Sequence, residues 1–147
     1  GRAEGAGSRF RKSTLRVIVV DASVLVAILA GEPGADDLIA EIMTDRCVTT
    51  PLAVWETTIS LARIFGAEPS DILDEVRRLL FLSGIDEVAV SGMMGTLAVD
   101  AYARFGKGRH PARLNFGDCF AYACAKHFDV PLLYKGDDFA RTDIGAA

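Results

Sequence analysis

The chain has 147 residues, half of them apolar and 24% charged, with a formal net charge of −4. That is enough for one domain with a substantial core, and no apolar run approaches the ~18 residues that a membrane span needs. Three scattered cysteines and two histidines exclude a disulfide framework and a zinc site. The thiols read as reduced, as in a cytosolic protein.

Residues 1–16 carry Arg2, Arg9, Arg11, Lys12 and Arg16 against the single acid Glu4. They are poor in apolar side chains and read as a disordered or non-native extension, with the domain beginning at 17. A signal peptide is the rival reading, and Asp21 inside the apolar segment argues against it. The remaining body is acidic. That speaks against a broad nucleic-acid surface, but leaves room for a local basic patch or a basic partner.

The sequence VIVVDASVLVAILA from Val17 to Ala30 organises the rest. Four β-branched residues predict a strand buried on both faces, ending at Asp21, with a helix continuing to Ala30. Gly31-Glu32-Pro33-Gly34 is a turn. A helix is expected over Ala35–Thr44, with Leu38, Ile39 and Ile42 inward, then a short strand at Cys47 and Val48. Thr50-Pro51 is a strong helix start, and Gly66 ends that helix. Its expected apolar face is Leu52, Trp55, Ile59 and Ala62, with Glu56 on the border. A helix over 69–82, a strand over 88–90 and a helix from the Ser91 cap to Phe105 follow. A basic loop spans 106–114. A helix then runs from Asn115 to about Phe128, and a last strand covers 131–133. Strands alternating with helices predict a parallel sheet covered on both faces, with all strand C-termini on one edge.

In such sheets ligands bind beyond the carboxyl ends of the strands, where Asp21 falls. Each acid also has a plainer explanation. Asp21 can cap a helix, although Ser23 could do so equally well. Glu56 can pair with Arg63 or Ser60 one turn on. Asp118 can be a first-turn acid favoured by the helix dipole, and Asp137 and Asp138 can be turn residues. Gly117 tempers the plain reading of Asp118, because glycine inside a helix is costly and suggests close approach of another group. Gathered at one edge, these acids would need a cation to stay ionised. Oxygen-only donors suit Mg²⁺ or Mn²⁺, and phosphodiester hydrolysis is the natural chemistry. Arg104, Lys107, Arg109, His110 and Arg113 precede Asp118 with no acid between Asp100 and Asp118. They form a candidate phosphate-contacting patch. Phe105 and Phe116 are expected in the core rather than stacked on bases.

VIVVDASVLVAIL, Glu56 in a helix, LNFGDCFAYACAK and PLLYKGDDF together resemble the PIN-domain ribonucleases, and more closely the VapC-type toxins of bacterial toxin–antitoxin pairs. The resemblance spans nearly all of the chain after residue 16. It implies a three-layer α/β/α PIN-like fold with a central parallel sheet over 17–147. It also implies Mg²⁺- or Mn²⁺-dependent cleavage of RNA (tRNA, rRNA or mRNA), a cytoplasmic location, a VapB-type antitoxin partner and a homodimer. The family's acids fall on Asp21, Glu56 and Asp118 as catalytic and metal-binding residues, with Asp138, or Asp137 in its place, as the fourth. Ser23 and Asn115 match its small hydroxyl and polar positions, and with Lys107, Arg109 and Arg113 are the expected RNA-binding residues. The chain departs from the family's usual ending, which has two acids separated by one residue; here Gly136 takes the earlier position. Two rivals remain: a PIN-like module that binds RNA or protein without cutting, and an aspartyl-phosphate enzyme. The latter is disfavoured because Ser23 stands where it would need a second Asp.

Overall fold

In the computed structural model of the chain, residues 16–147 are described. Residues 1–15, and with them nearly all of the expected basic extension, lie outside the described residues. Arg16 is tied to the domain. Its guanidinium pairs with Asp45 at 3.2 Å, and its carbonyl accepts the Arg46 N–H at 3.1 Å.

Strands β1 (Val17–Val20), β2 (Arg46–Thr49), β3 (Asp86–Glu87) and β4 (Leu132–Leu133) form a parallel sheet in the order β3–β2–β1–β4. Side chains alternate across it. Val19, Val48 and Leu132 face α5 (Gly92–Phe105) and α6 (Phe116–Phe128). Ile18, Val20, Cys47 and Leu133 face the opposite cluster, which holds Val24 and Leu25 of α1 (Ala22–Ala30) and Ile42 of α2 (Ala35–Thr44). The same cluster takes Val54 and Leu61 from α3 (Pro51–Phe65) and Val76 and Leu80 from α4 (Pro69–Ser83). Burial on both faces accounts for the unbroken Val-Ile-Val-Val run, and the result is the expected three-layer fold.

The helix punctuation is that of the sequence. Thr50 Oγ1 accepts the Ala53 N–H at 3.2 Å, and Ser91 Oγ accepts the Met94 N–H at 3.2 Å. Gly66 closes α3 in the left-handed conformation, with φ +59°. The order of elements then fixes where the site can lie. Helices α1 and α3 begin where β1 and β2 end, and α6 runs back to the start of β4. The first turns of all three therefore share the C-terminal edge of the sheet. The chain leaves β1 for the β2 side, while β4 lies on the other, so the β1–β4 crevice is a topological switch point.

Four expectations are corrected. Strand β3 is Asp86–Glu87, not 88–90: Val88 N–H still donates to Thr49 O at 2.8 Å, but Val88 and Val90 pack on the α5–α6 core instead of pairing. The buried face of α3 is Ala53, Val54, Thr57, Thr58, Leu61 and Ala62, and Trp55 is 64% exposed. The two threonines can be buried because each hydroxyl donates to the carbonyl one turn back, at 2.7 Å. On α2, Ile42 is buried but Ile39 is exposed, since only one edge of that helix meets the core. Phe105 is in the core as expected, whereas Phe116 is 70% exposed at the first position of α6. The C-terminal residues also join the sheet: Leu132 N–H donates to Gly145 O, and Ala147 N–H to Leu132 O.

Candidate active site

Asp21 is the residue after β1 and caps α1. Its backbone N–H donates to Leu133 O at 3.0 Å, which fastens it to the crevice between β1 and β4. Its side-chain Oδ2 accepts the Ser23 N–H at 3.0 Å. It is only 4% exposed, and burial holds its carboxyl above the usual carboxylate range. Cap and site are thus the same residue.

Asp118 is the third residue of α6, in a reciprocal capping box. Asn115 Oδ1 accepts the Asp118 N–H at 2.9 Å, and Asp118 Oδ2 accepts the Asn115 N–H at 3.0 Å. Burial pushes its carboxyl up to about 6, against the lowering effect of the Asn115 N–H. The charges of Asp21 and Asp138 raise it further. Glu56, in the second turn of α3, is half-buried. Burial pushes it to about 7, with Asp21 and Asp118 adding to the rise. The three acids therefore act on one another electrostatically, although they come from positions far apart in the chain.

Gly117 is what lets two of them approach. A Cβ on Gly117 would stand inside the Glu56 carboxylate, 2.7 Å from its Cδ and 2.8 Å from Oε1. No side chain longer than hydrogen leaves Glu56 where it is, which is the physical reason for a glycine in the first turn of a helix.

Asp21, Glu56 and Asp118 line one open cavity of about 360 Å³, together with Ser23, Ser60, Glu32, Lys135 and Gly136. No local sequence pattern marks Lys135 or Glu32 as site residues, and Ser60 stands out only as a neighbour one turn from Glu56. The usable signal for Lys135 was its place just past β4, on the same edge as Asp21. Of the acids that follow it, Asp138 raises the pKa of Asp118 and Asp137 contributes to none of the three. Both are exposed.

The expected RNA-binding residues divide. Ser23 lines the cavity and also accepts the Lys135 backbone N–H at 2.9 Å. Asn115 adjoins it as the α6 cap. Lys107, Arg109 and Arg113 do not line it. Arg109 Nε donates to Ala103 O at 3.3 Å, and Arg113 is exposed at φ +55°. Arg104 belongs to a separate network, paired with Asp143 at 3.2 Å and Asp100 at 3.6 Å. His110 Nδ1 accepts the Ala112 N–H at 3.0 Å and its ring meets Phe105 edge-on, a structural position.

Among the described residues no cation pairs with Asp21, Glu56 or Asp118, and no three Asp, Glu, His or Cys side chains stand close enough together to hold a metal ion by themselves. An open all-oxygen site with uncompensated charge fits a hard ion that keeps several waters, as Mg²⁺ does. It does not fit zinc, which wants four close nitrogen or sulfur donors. Cys119 and Cys124 are buried, and burial raises their thiols to about 11, so neither supplies a thiolate.

This fold, with acids gathered at the switch point, is that of the PIN domain, whose family model matches residues 18–145. The chain is 42% identical over 140 residues to the VapC ribonuclease R02377 of Rhizobium meliloti, covering 86% of this chain and 98% of that one. It is 43% identical over 130 residues to Ribonuclease VapC of Mycolicibacterium smegmatis, covering 88% and 98%. Among solved structures it is similar to Mycobacterium tuberculosis VapC20, a sarcin-ricin loop cleaving toxin. There the TM-score is 0.69 at 16% identity, over 88% of this chain and 98% of that one. It also resembles VapBC2 from Rickettsia felis bound to a promoter DNA fragment, with a TM-score of 0.65 at 10% identity, over 88% and 96%. The chain belongs to the VapC ribonucleases of the PIN-domain family.

Proposed function

We propose that the protein is the toxin of a type II toxin–antitoxin pair and cuts RNA as a divalent-metal-dependent endoribonuclease. The observation that carries this reading is the convergence of Asp21, Glu56 and Asp118 on one cavity, none of them ion-paired among the described residues. Asp21 and Asp118 would hold Mg²⁺ or Mn²⁺, with Asp138 as the fourth acid. A bound ion would lower the pKa of a water and stabilise the charge that develops in phosphodiester hydrolysis. The residues of the chain do the rest. The caps of α1 and α6 fix the rotamers of Asp21 and Asp118. Glu56, in its ionised form, would orient a water in the cavity and take its proton on a carboxylate oxygen. Ser23 and Asn115 border the path of the RNA, and Lys107, Arg109 and Arg113 would contact its phosphates outside the cavity.

The reading includes a cytoplasmic location, a VapB-type antitoxin and a homodimer. Among the described residues no helix is long and apolar enough to cross a membrane. A protein partner is supported by an apolar groove on α5 and α6 that Val99, Tyr102, Phe116 and Phe120 line, the first three of them exposed. Isolated apolar side chains are ordinary, but grouped ones mark interfaces.

The test is cleavage of RNA by antitoxin-free protein in Mg²⁺, in chelator, and as Asp21→Asn and Asp118→Asn variants with the fold checked by circular dichroism. Loss of cleavage in chelator and in both folded variants is expected. Cleavage at the unaltered rate in either variant would refute the assignment. RNA binding without products would favour the non-cutting module.

A further inference from the structure

The geometry points to Lys135 as the residue that grips the RNA phosphate beside the acid cluster, held ready in the free protein by Glu32. This rests on the nuclease reading and adds a residue to it. Three observations carry it.

Among the described residues, Lys135 is the one cation lining the cavity that holds Asp21, Glu56 and Asp118. A polyanion drawn to three carboxylates is repelled unless positive charge stands beside them. The basic residues of the 106–114 loop do not line that cavity, so among the described residues the side-chain positive charge there, beside any ion the acids hold, is that of Lys135.

The ammonium is not spent on the catalytic acids. It reaches the other way, to Glu32 Oε2 at 2.7 Å and to Pro33 O at 3.2 Å. Both partners sit in the turn between α1 and α2, at the rim. The Lys135 and Glu32 side chains are 37% and 38% exposed. A pair that open to water contributes little to stability and exchanges readily for a better anion. Glu32 thus occupies the ammonium as a phosphate would, and competes with it.

The backbone of Lys135 is fixed while its side chain can swing. Its N–H donates to Ser23 Oγ at 2.9 Å, two residues past the Asp21 cap, so the base of the lysine is indexed to the same strand end as the first acid. Gly136 follows at φ +107°, a conformation that glycine alone adopts at little cost. It turns the chain away and leaves the lysine at the cavity mouth.

A tether and a phosphate grip differ in what they predict for Glu32. The experiment is fluorescence anisotropy of a short labelled single-stranded RNA, titrated with full-chain protein at several salt concentrations. Ca²⁺ replaces Mg²⁺, a gel checks for products, and melting temperature serves as the control for folding. Lys135→Met should weaken binding about tenfold, since it removes one charge-assisted contact. It should lower the slope of log affinity against log salt by about 0.7, the value for one phosphate on a single strand. Lys135→Arg should keep most of the affinity, and Glu32→Gln should tighten binding about two- to fivefold by removing the competitor. Unchanged affinity and salt slope in folded Lys135→Met would overturn the inference. So would weaker binding in Glu32→Gln, the signature of a mere tether. RNA held in the Lys135-dependent way but never cut in Mg²⁺ would count against the nuclease reading and leave this inference standing. Cleavage by wild type with Lys135-independent binding would do the reverse.

Discussion

Gly117→Ala separates folding from function more sharply than removal of an acid. Alanine inside a helix is favoured over glycine by up to ~1 kcal/mol. The new methyl would stand 2.7 Å from Glu56 Cδ, closer than non-bonded carbons approach. The obstacle is the far end of a flexible side chain, so Glu56 swings aside at about 0.5–1.5 kcal/mol of rotamer strain. Its departure also relieves repulsion with Asp21 and Asp118. These terms nearly cancel. The metal-free variant should melt within about 4 °C of wild type, since ~1 kcal/mol moves a chain of this size by roughly 2–4 °C. Function should not survive as well. A displacement on the order of 1 Å at a reacting group costs about 10²-fold, so RNA cleavage should fall by about that factor and calorimetric Mn²⁺ affinity should drop with it. In a Glu56→Ala background, Gly117→Ala should cost nothing further, because the clash has no partner. A well-folded Gly117→Ala protein with wild-type cleavage and Mn²⁺ affinity would refute the reasoning.

Further expectations follow from the same geometry. Glu56 rises from 4.5 to about 7 and Asp118 from 3.8 to about 6 on folding, so between about pH 4 and 7 the unfolded chain has released protons that the folded one still holds. Stability without metal should therefore fall as pH rises through that window. The Glu56 rise alone would be about 3 kcal/mol, reduced to roughly 1–2 kcal/mol because the group is partly solvated. Thermal melts in chelator from pH 4 to 8 check the sign, and Mg²⁺ should restore stability at the upper end. Asn115→Ala removes one half of the α6 capping box and should cost about 1 kcal/mol in denaturant unfolding. Mn²⁺ affinity should change little by comparison, because the backbone N–H of residue 115 that holds the Asp118 carboxylate is kept. Lys107→Ala, Arg109→Ala and Arg113→Ala, lying outside the cavity, should raise KM for RNA and leave kcat within about twofold. A large fall in kcat would place that loop in the chemistry.

The sequence made most of the fold legible because its helices are punctuated chemically. Thr50-Pro51, Ser91 and Asn115 start helices at their observed positions, and Gly31, Gly66 and Gly84 end them in left-handed conformations. Strand β3 was misplaced because Asp86 and Glu87 carry no apolar pattern. Their pairing is dictated by the neighbouring strand β2, and the more strand-like Val88 and Val90 serve as packing residues. The rotated face of α3 has a similar cause. Thr57 and Thr58 look polar in sequence, yet they satisfy their hydroxyls within the helix and bury like valines, while Trp55 looks like core and points to water. At the site, Asp21, Glu56 and Asp118 could be nominated one by one, and Gly117 hinted at a close approach. What no local pattern carries is that the approaching group is Glu56, from a helix about sixty residues earlier in the chain. Nor does it carry that Lys135 and Glu32 close the rim. Those contacts exist only once the strand order β3–β2–β1–β4 brings the ends of β1 and β4 together.

Anomalous diffraction from crystals soaked in Mn²⁺ tests the central claim most directly. A peak is expected in the cavity at the end of β1, with Asp21 and Asp118 oxygens roughly 2.0–2.2 Å from the ion and waters completing its shell. A peak bound by other residues, or carboxylates of Asp21 and Asp118 that share no ion at saturating Mn²⁺, would contradict it.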